Sequence, residues 1–108
     1  MQYEIELNNS LPNQTFPTTI NKVEMECAIK LAGQEDNQIM LFALKVDNDY
    51  LCPFVPVFAN QGVMPYPYMI SEAGGNFFFI TENGEYPNYT NFGTTCNLYF
   101  ITEDELNG

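Results

Sequence analysis

The chain has 108 residues, with 14 Asp and Glu against three lysines, a net charge of −11, and no Arg, His or Trp. Its length predicts one domain over residues 1–108, able to bury about two-thirds of its unfolded surface. Without His no Ser-His-Asp or Cys-His unit and no His-ligated metal site can form; without Arg there is no bidentate phosphate clamp; and three lysines do not neutralise a track of phosphates, which argues against nucleic acid as a partner.

Tyr3-Glu4-Ile5-Glu6-Leu7 alternates apolar and acidic residues, the signature of a half-buried strand. Asn8 to Asn13 is a turn-rich break. Thr15 to Ile20 is β-branched but contains Pro17, which predicts an edge strand or irregular chain. Val23 to Leu31 carries the clearest pattern, with apolar residues at every second position and Glu24, Glu26 and Lys30 between them. A strand puts that apolar set on one face, whereas a helix would scatter it. Ala32 to Gln38 reads as a turn. Ile39 to Val46 is a nearly continuous apolar run, as expected of a strand covered on both faces. Asp47-Asn48-Asp49 closes it as a hairpin-type loop. It opens like a calcium loop, but Leu51-Cys52 stands where such a loop continues with Asp or Asn and Gly. Tyr50 to Phe58 resumes as a strand interrupted by Pro53 and Pro56.

Residues 59 to 75 are less regular, and Met64 to Ile70 fits either a short strand or a single helical turn. Asn76 to Thr81 is a strand built on Phe77-Phe78-Phe79-Ile80. Asn83-Gly84 is a hairpin signal, because both residues accept positive φ cheaply. Tyr86 to Thr95 reads as loop, Asn97 to Thr102 as the last strand, and Glu103 to Leu106 as an acidic tail able to make one turn. The sequons at Asn13 and Asn88 read as polar turns. Six to eight short strands with closely spaced turns predict an all-β fold, a compact antiparallel β-sandwich or small β-barrel.

No window of 18 apolar residues predicts a membrane-spanning helix, and Met1 to Leu11 lacks the positive start of a secretory leader. Cys27, Cys52 and Cys96 are odd in number and widely spaced, so they are expected to be reduced core thiols. Glu4/Glu6 and Glu24/Glu26 sit two apart on strand faces and are expected to meet solvent or a partner rather than form a catalytic pair. No glycine-rich phosphate loop is present. No catalytic residue, metal or cofactor is expected.

Tyr66, Tyr68, Tyr86 and Tyr89 lie in Pro- and Asn-rich loops. They are open to three uses: capping the core, contacting a protein partner, or stacking on sugar rings. The expected partner-contact set is these four with Phe92, helped by the acids Glu24, Glu26, Glu103 and Asp104 for electrostatic fit. The net charge repels further copies and suits a basic cavity. It also leaves open an acidic inhibitor that mimics DNA towards a DNA-binding protein.

The order of these segments resembles the cyanophage-type baseplate plug family of contractile-tailed phages. The resemblance spans essentially the whole chain. It is carried by Tyr3-Glu4-Ile5-Glu6-Leu7, by Asn13-Gln14-Thr15-Phe16 before the alternating strand, and by Phe92-Gly93 followed by Leu98-Tyr99-Phe100-Ile101-Thr102 and the acidic tail. Members of that family carry Arg and Trp in the strands after the Asn-Gln-Thr-Phe segment; this chain has neither, so no contact of those kinds carries over. The resemblance implies a non-enzymatic virion component, made in the host cytoplasm, that plugs or lines the central hub at the end of the tail tube. Its implied partners are hub, spike and tail tube proteins, with no membrane involved. The threefold symmetry common in phage hubs favours a trimer or three bound copies. The alternatives are the DNA mimic and a carbohydrate-binding module.

Overall fold

The alternation read in Val23–Leu31 becomes the longest strand of the molecule. The structure, a computed structural model, describes residues 2–33 and 38–107. Its elements run in the order β1 (Gln2–Ile5), β2 (Gln14–Ile20), β3 (Val23–Ala32), β4 (Ile39–Val46), β5 (Asp49–Pro56), α1 (Pro67–Ala73), β6 (Gly75–Thr81), β7 (Cys96–Thr102) and α2 (Glu103–Asn107). Most of the turn expected over 32–38 lies outside the described residues.

The seven strands form two antiparallel sheets in a sandwich-like arrangement, so the all-β expectation holds. One sheet has four strands in the order β2-β3-β4-β5; the other has three in the order β1-β7-β6. The four-stranded sheet is a meander, in which each strand pairs with its neighbour in sequence. Two of its turns are two-residue hairpins. Ile20 pairs with Val23 across Asn21-Lys22, and Val46 with Asp49 across Asp47-Asn48. All four turn residues have positive φ, 52° and 69° in the first turn and 55° and 69° in the second. That is the type I′ geometry, whose twist matches the flanking strands. The Asp47-Asn48 turn was legible in the sequence. Asn21-Lys22 was not, because lysine is no turn signal. Pro17, in β2, and Pro53 and Pro56, in β5, all fall in the two outer strands. Outer strands tolerate a missing N–H, and a central strand would not.

Between β5 and β6 the ambiguous stretch becomes a helix. Pro67 stands in its first turn, Met69 and Ala73 are its buried residues, and Gly74 ends it at φ 84°, donating its N–H to Ile70 O at 2.8 Å. A proline start, an i, i+4 apolar pair and a left-handed glycine cap are mutually consistent helix signals. The Asn83-Gly84 pair, in contrast, does not make a tight hairpin. β6 and β7 do pair antiparallel, but the ladder closes at Thr81–Cys96. Gly84 uses its positive φ of 70° to end a single 3-10 turn at Glu82–Gly84. The longer connection folds back over the core and delivers Phe92 into it, a gain in burial that a two-residue turn would forgo.

Inward residues of both sheets meet in one core. Phe42 of β4 contacts Phe77 at 4.9 Å and Phe79 at 6.2 Å between ring centroids. Phe77 continues to Phe100 at 5.0 Å, and Phe79 to Phe92 at 5.9 Å. Tilted, edge-on and stacked pairs at these spacings add to the gain from area burial alone. All five rings are at most 1% exposed. Phe42→Ala is expected to lower the unfolding free energy by about 3–5 kcal/mol, read by chemical denaturation.

Candidate interaction surface

The alternation of β3 turns Glu24 and Glu26 outward, as expected, and both are exposed. Glu26 stands 3.9 Å from Lys45 Nζ, a surface pair of small energetic weight. Lys45 also lies over the Tyr50 ring at 4.8 Å, and Lys30 over Phe54 at 4.9 Å. No lysine or arginine side chain precedes Lys22 or follows Lys45. The three-stranded sheet and both helices therefore carry acids alone, and the negative potential is concentrated on that half. Glu103 and Asp104 open α2, where acids favour the positive end of the helix dipole. Glu103 also accepts a hydrogen bond from Ser71 Oγ of α1 at 2.9 Å. Glu24 and Glu26 thus sit on the outer face of one sheet, and Glu103 and Asp104 beside α1, rather than in one row. A DNA mimic needs acids spaced along one face.

The tyrosines divide. Tyr66 and Tyr68 are 56% and 60% exposed and stack on each other at 6.0 Å, with 13° between ring planes. Tyr66 occupies the N-cap position of α1 without making a side-chain cap bond. Neither ring has a packing duty. Tyr86 is exposed and meets the exposed ring of Phe58 edge-on at 6.2 Å. Phe58 was not singled out in the sequence, although its place after Pro56 and the inward Val57 puts it on the outer face. Tyr89 is half-buried against the core. Phe92 corrects the expectation: it is 0% exposed and packs on Phe79, so its ring is core and not interface. A loop position does not by itself distinguish the two, because loop residues at the ends of a sandwich fold over its core.

Asparagines organise the loops. Asn88 and Asn91 form a reciprocal capping box around the turn at Tyr89–Asn91. Asn13 Oδ1 accepts from Leu31 N–H at 3.0 Å. Buried Asn76 accepts at Oδ1 from Met64 N–H at 2.9 Å and from Phe77 N–H at 2.8 Å, and donates from Nδ2 to Met64 O at 3.1 Å. These side chains hold backbone that no ladder reaches.

A family model described as cyanophage baseplate Pam3 plug gp18 matches residues 2–103. The chain belongs to that family. The match runs from the start of β1 to the start of α2 and so takes in both sheets. Comparison with the curated proteins finds no match. The family is one of phage baseplate plugs, and the segments that carried the resemblance have structural duties here. Gln14 of the Asn-Gln-Thr-Phe segment braces the preceding turn, donating from Nε2 to Asn8 O at 2.9 Å. Phe92-Gly93 supplies a core ring and a positive φ of 80°. Leu98 to Thr102 belong to β7, the central strand of its sheet.

Among the described residues no three His, Cys, Asp or Glu side chains converge as a metal-holding group. The three cysteines are unpaired and buried. Burial pushes the Cys27 thiol up to about 12, with the adjacent Glu26 charge adding and a hydrogen bond to Thr18 opposing. Burial, then Glu85, pushes Cys96 up to about 12, and burial alone raises Cys52. A thiol whose folded pKa is raised contributes stability fully below its ordinary value of 9.0 and loses it as pH climbs through the folded value. Conformational stability is therefore expected to fall from pH 9 towards pH 12. At neutral pH a disulfide reagent such as dithionitrobenzoate should label no cysteine in the folded chain and all three after unfolding.

Proposed function

We propose that this chain is a non-enzymatic structural protein of the phage virion that closes or lines the central hub at the end of the tail tube. Its neighbours in this reading are hub, spike and tail tube proteins. Threefold hub symmetry favours three copies, as a trimer or as three separately bound chains. Membership of the baseplate plug family over nearly the whole chain supports the assembly. The observation that carries the mode of docking is the stacked, exposed Tyr66–Tyr68 pair at the head of α1.

Such a pair offers large rigid contact area at low entropic cost. Glu103, held by Ser71 of the same helix, adds negative charge beside α1. Tyr86 with Phe58 forms a second aromatic contact, and Glu24, Glu26 and Asp104 contribute electrostatic fit to basic neighbours. The half of the molecule that carries acids alone suits a basic cavity and disfavours stacking of copies through that half.

The double variant Tyr66→Ala/Tyr68→Ala tests this reading. Its thermal midpoint should stay within about 2 °C of the parent, as for surface substitutions generally. Recovery of hub, spike and tube proteins with the tagged chain from an infected-cell lysate should fall roughly tenfold. Unchanged recovery would remove the tyrosine pair from the interface. Recovery instead of a nuclease or other DNA-binding protein, competed off by added DNA, would overturn the plug reading in favour of DNA mimicry.

A further inference from the structure

Four strands end the two sheets, and three of those edges are closed to a further strand. β2 carries Pro17, and a proline in an edge strand keeps its missing N–H on the unpaired side. β5 carries Pro53 and Pro56 and has irregular register against β4 between Phe42 and Lys45. The free side of β6 is covered by the chain itself: Asn60 N–H donates to Phe79 O at 2.8 Å and Val63 N–H to Phe77 O at 2.9 Å. Prolines, irregularities and covering loops are the usual means of protecting a sheet edge. β1 has none of them. It contains no proline, its register with β7 is unbroken, and among the described residues no backbone hydrogen bond joins it to any other segment.

β1 borders an open groove of about 910 Å³ whose opposite wall is the start of β2. Ile5, Leu7, Phe16 and Leu98 give it an apolar floor. The connection from β1 to β2 closes one end without filling it. There Asn8 N–H donates to Gln14 Oε1 at 3.1 Å, Gln14 Nε2 donates back to Asn8 O, and Asn13 is tied to β3 through Leu31. Glu4 and Glu6 stand exposed along the rim, and no cation lines the groove. A second copy added to this edge would bring acids against acids, and like charges facing across a ladder are destabilising. The same two carboxylates favour cations.

We propose that β1 is a docking edge for an extended segment of a neighbouring protein in which aliphatic residues alternate with lysine or arginine. The segment adds to β1 as a further strand. Its backbone completes the open ladder, its aliphatic side chains enter the groove beside Ile5 and Leu7, and its cations stand next to Glu4 and Glu6. This deepens the baseplate reading and rests on it only for the identity of the neighbour.

The test titrates the isotope-labelled full chain, followed by NMR, with an end-blocked peptide of alternating valine and lysine, roughly seven residues long. Saturable shifts should concentrate on the amides of residues 2–7 and on Thr15 and Phe16. A peptide with glutamate in place of lysine should not bind. Glu4→Lys/Glu6→Lys, both exposed positions, should weaken binding about tenfold with an unchanged thermal midpoint. N-methylation of alternate peptide amides should abolish binding in one phase and spare it in the other, because only one set faces β1. No saturable shift overturns the proposal. So do equal affinities of the two methylated phases, which would mean adsorption to the acidic surface, and self-association through β1 that the peptide does not displace. The titration contains no baseplate protein. Its failure beside a Tyr66/Tyr68 double variant that still loses its neighbours overturns the edge alone, whereas undiminished recovery by that variant bears on the tyrosine contact alone.

Discussion

The two sheets depend on one contact, the ring of Phe42 set against Phe77 and Phe79. A sheet with one apolar face is not stable in water by itself, and here each sheet supplies the cover for the other. Phe42 is the ring of the four-stranded sheet that reaches across. From it, ring contacts run one way through Phe79 to Phe92 and the other way through Phe77 and Phe100 to Tyr3, 6.5 Å from Phe100. The rigid aromatic line ties both ends of the chain into a single core. β1 is held by this line through Tyr3 and by its ladder to β7, and the Tyr3 hydroxyl donates to Asn21 Oδ1 of the β2–β3 turn at 3.4 Å.

Around that core the chain separates what must pair from what must not. Prolines stand in the outer strands of the four-stranded sheet, and a returning segment lies along β6. Each lysine that projects from a strand is placed over an aromatic ring, which leaves the rest of the surface strongly negative. Such a molecule resists adding strands to itself, while among the described residues its exposed aromatics and the outer edge of β1 stay uncovered. Those are the properties a small component needs to take its place among larger proteins of a baseplate, where association with the wrong partner is as damaging as failure to associate.

Much of the candidate surface was legible because exposure in a strand follows from local alternation. Glu24 and Glu26 lie outward for the reason that Met25 and Cys27 lie inward. The sequence left Tyr66 and Tyr68 open between capping the core and facing outward, and the structure exposes both. Phe92 was not legible. Its loop position resembles that of Tyr86, and only the path of the connection between β6 and β7 sends one ring into the core and leaves the other outside. Phe58 was missed for the converse reason: it follows a strand whose prolines obscure its alternation.

By itself the sequence determined most of the strands, the inward face of the alternating ones, the edge character of the Pro17 segment and the excess of negative charge. Each is a property of composition or of a few neighbouring residues, and period-two alternation needs no distant partner to be read. The tertiary structure alone decided that the first strand pairs with the last, that Asn83-Gly84 opens a long connection instead of a tight turn, and that among the described residues nothing pairs with the outer edge of β1, beside a groove with an apolar floor and polar walls. Those outcomes depend on which segments from opposite ends of the chain best cover the Phe42 face, a competition between long-range contacts that no local window contains.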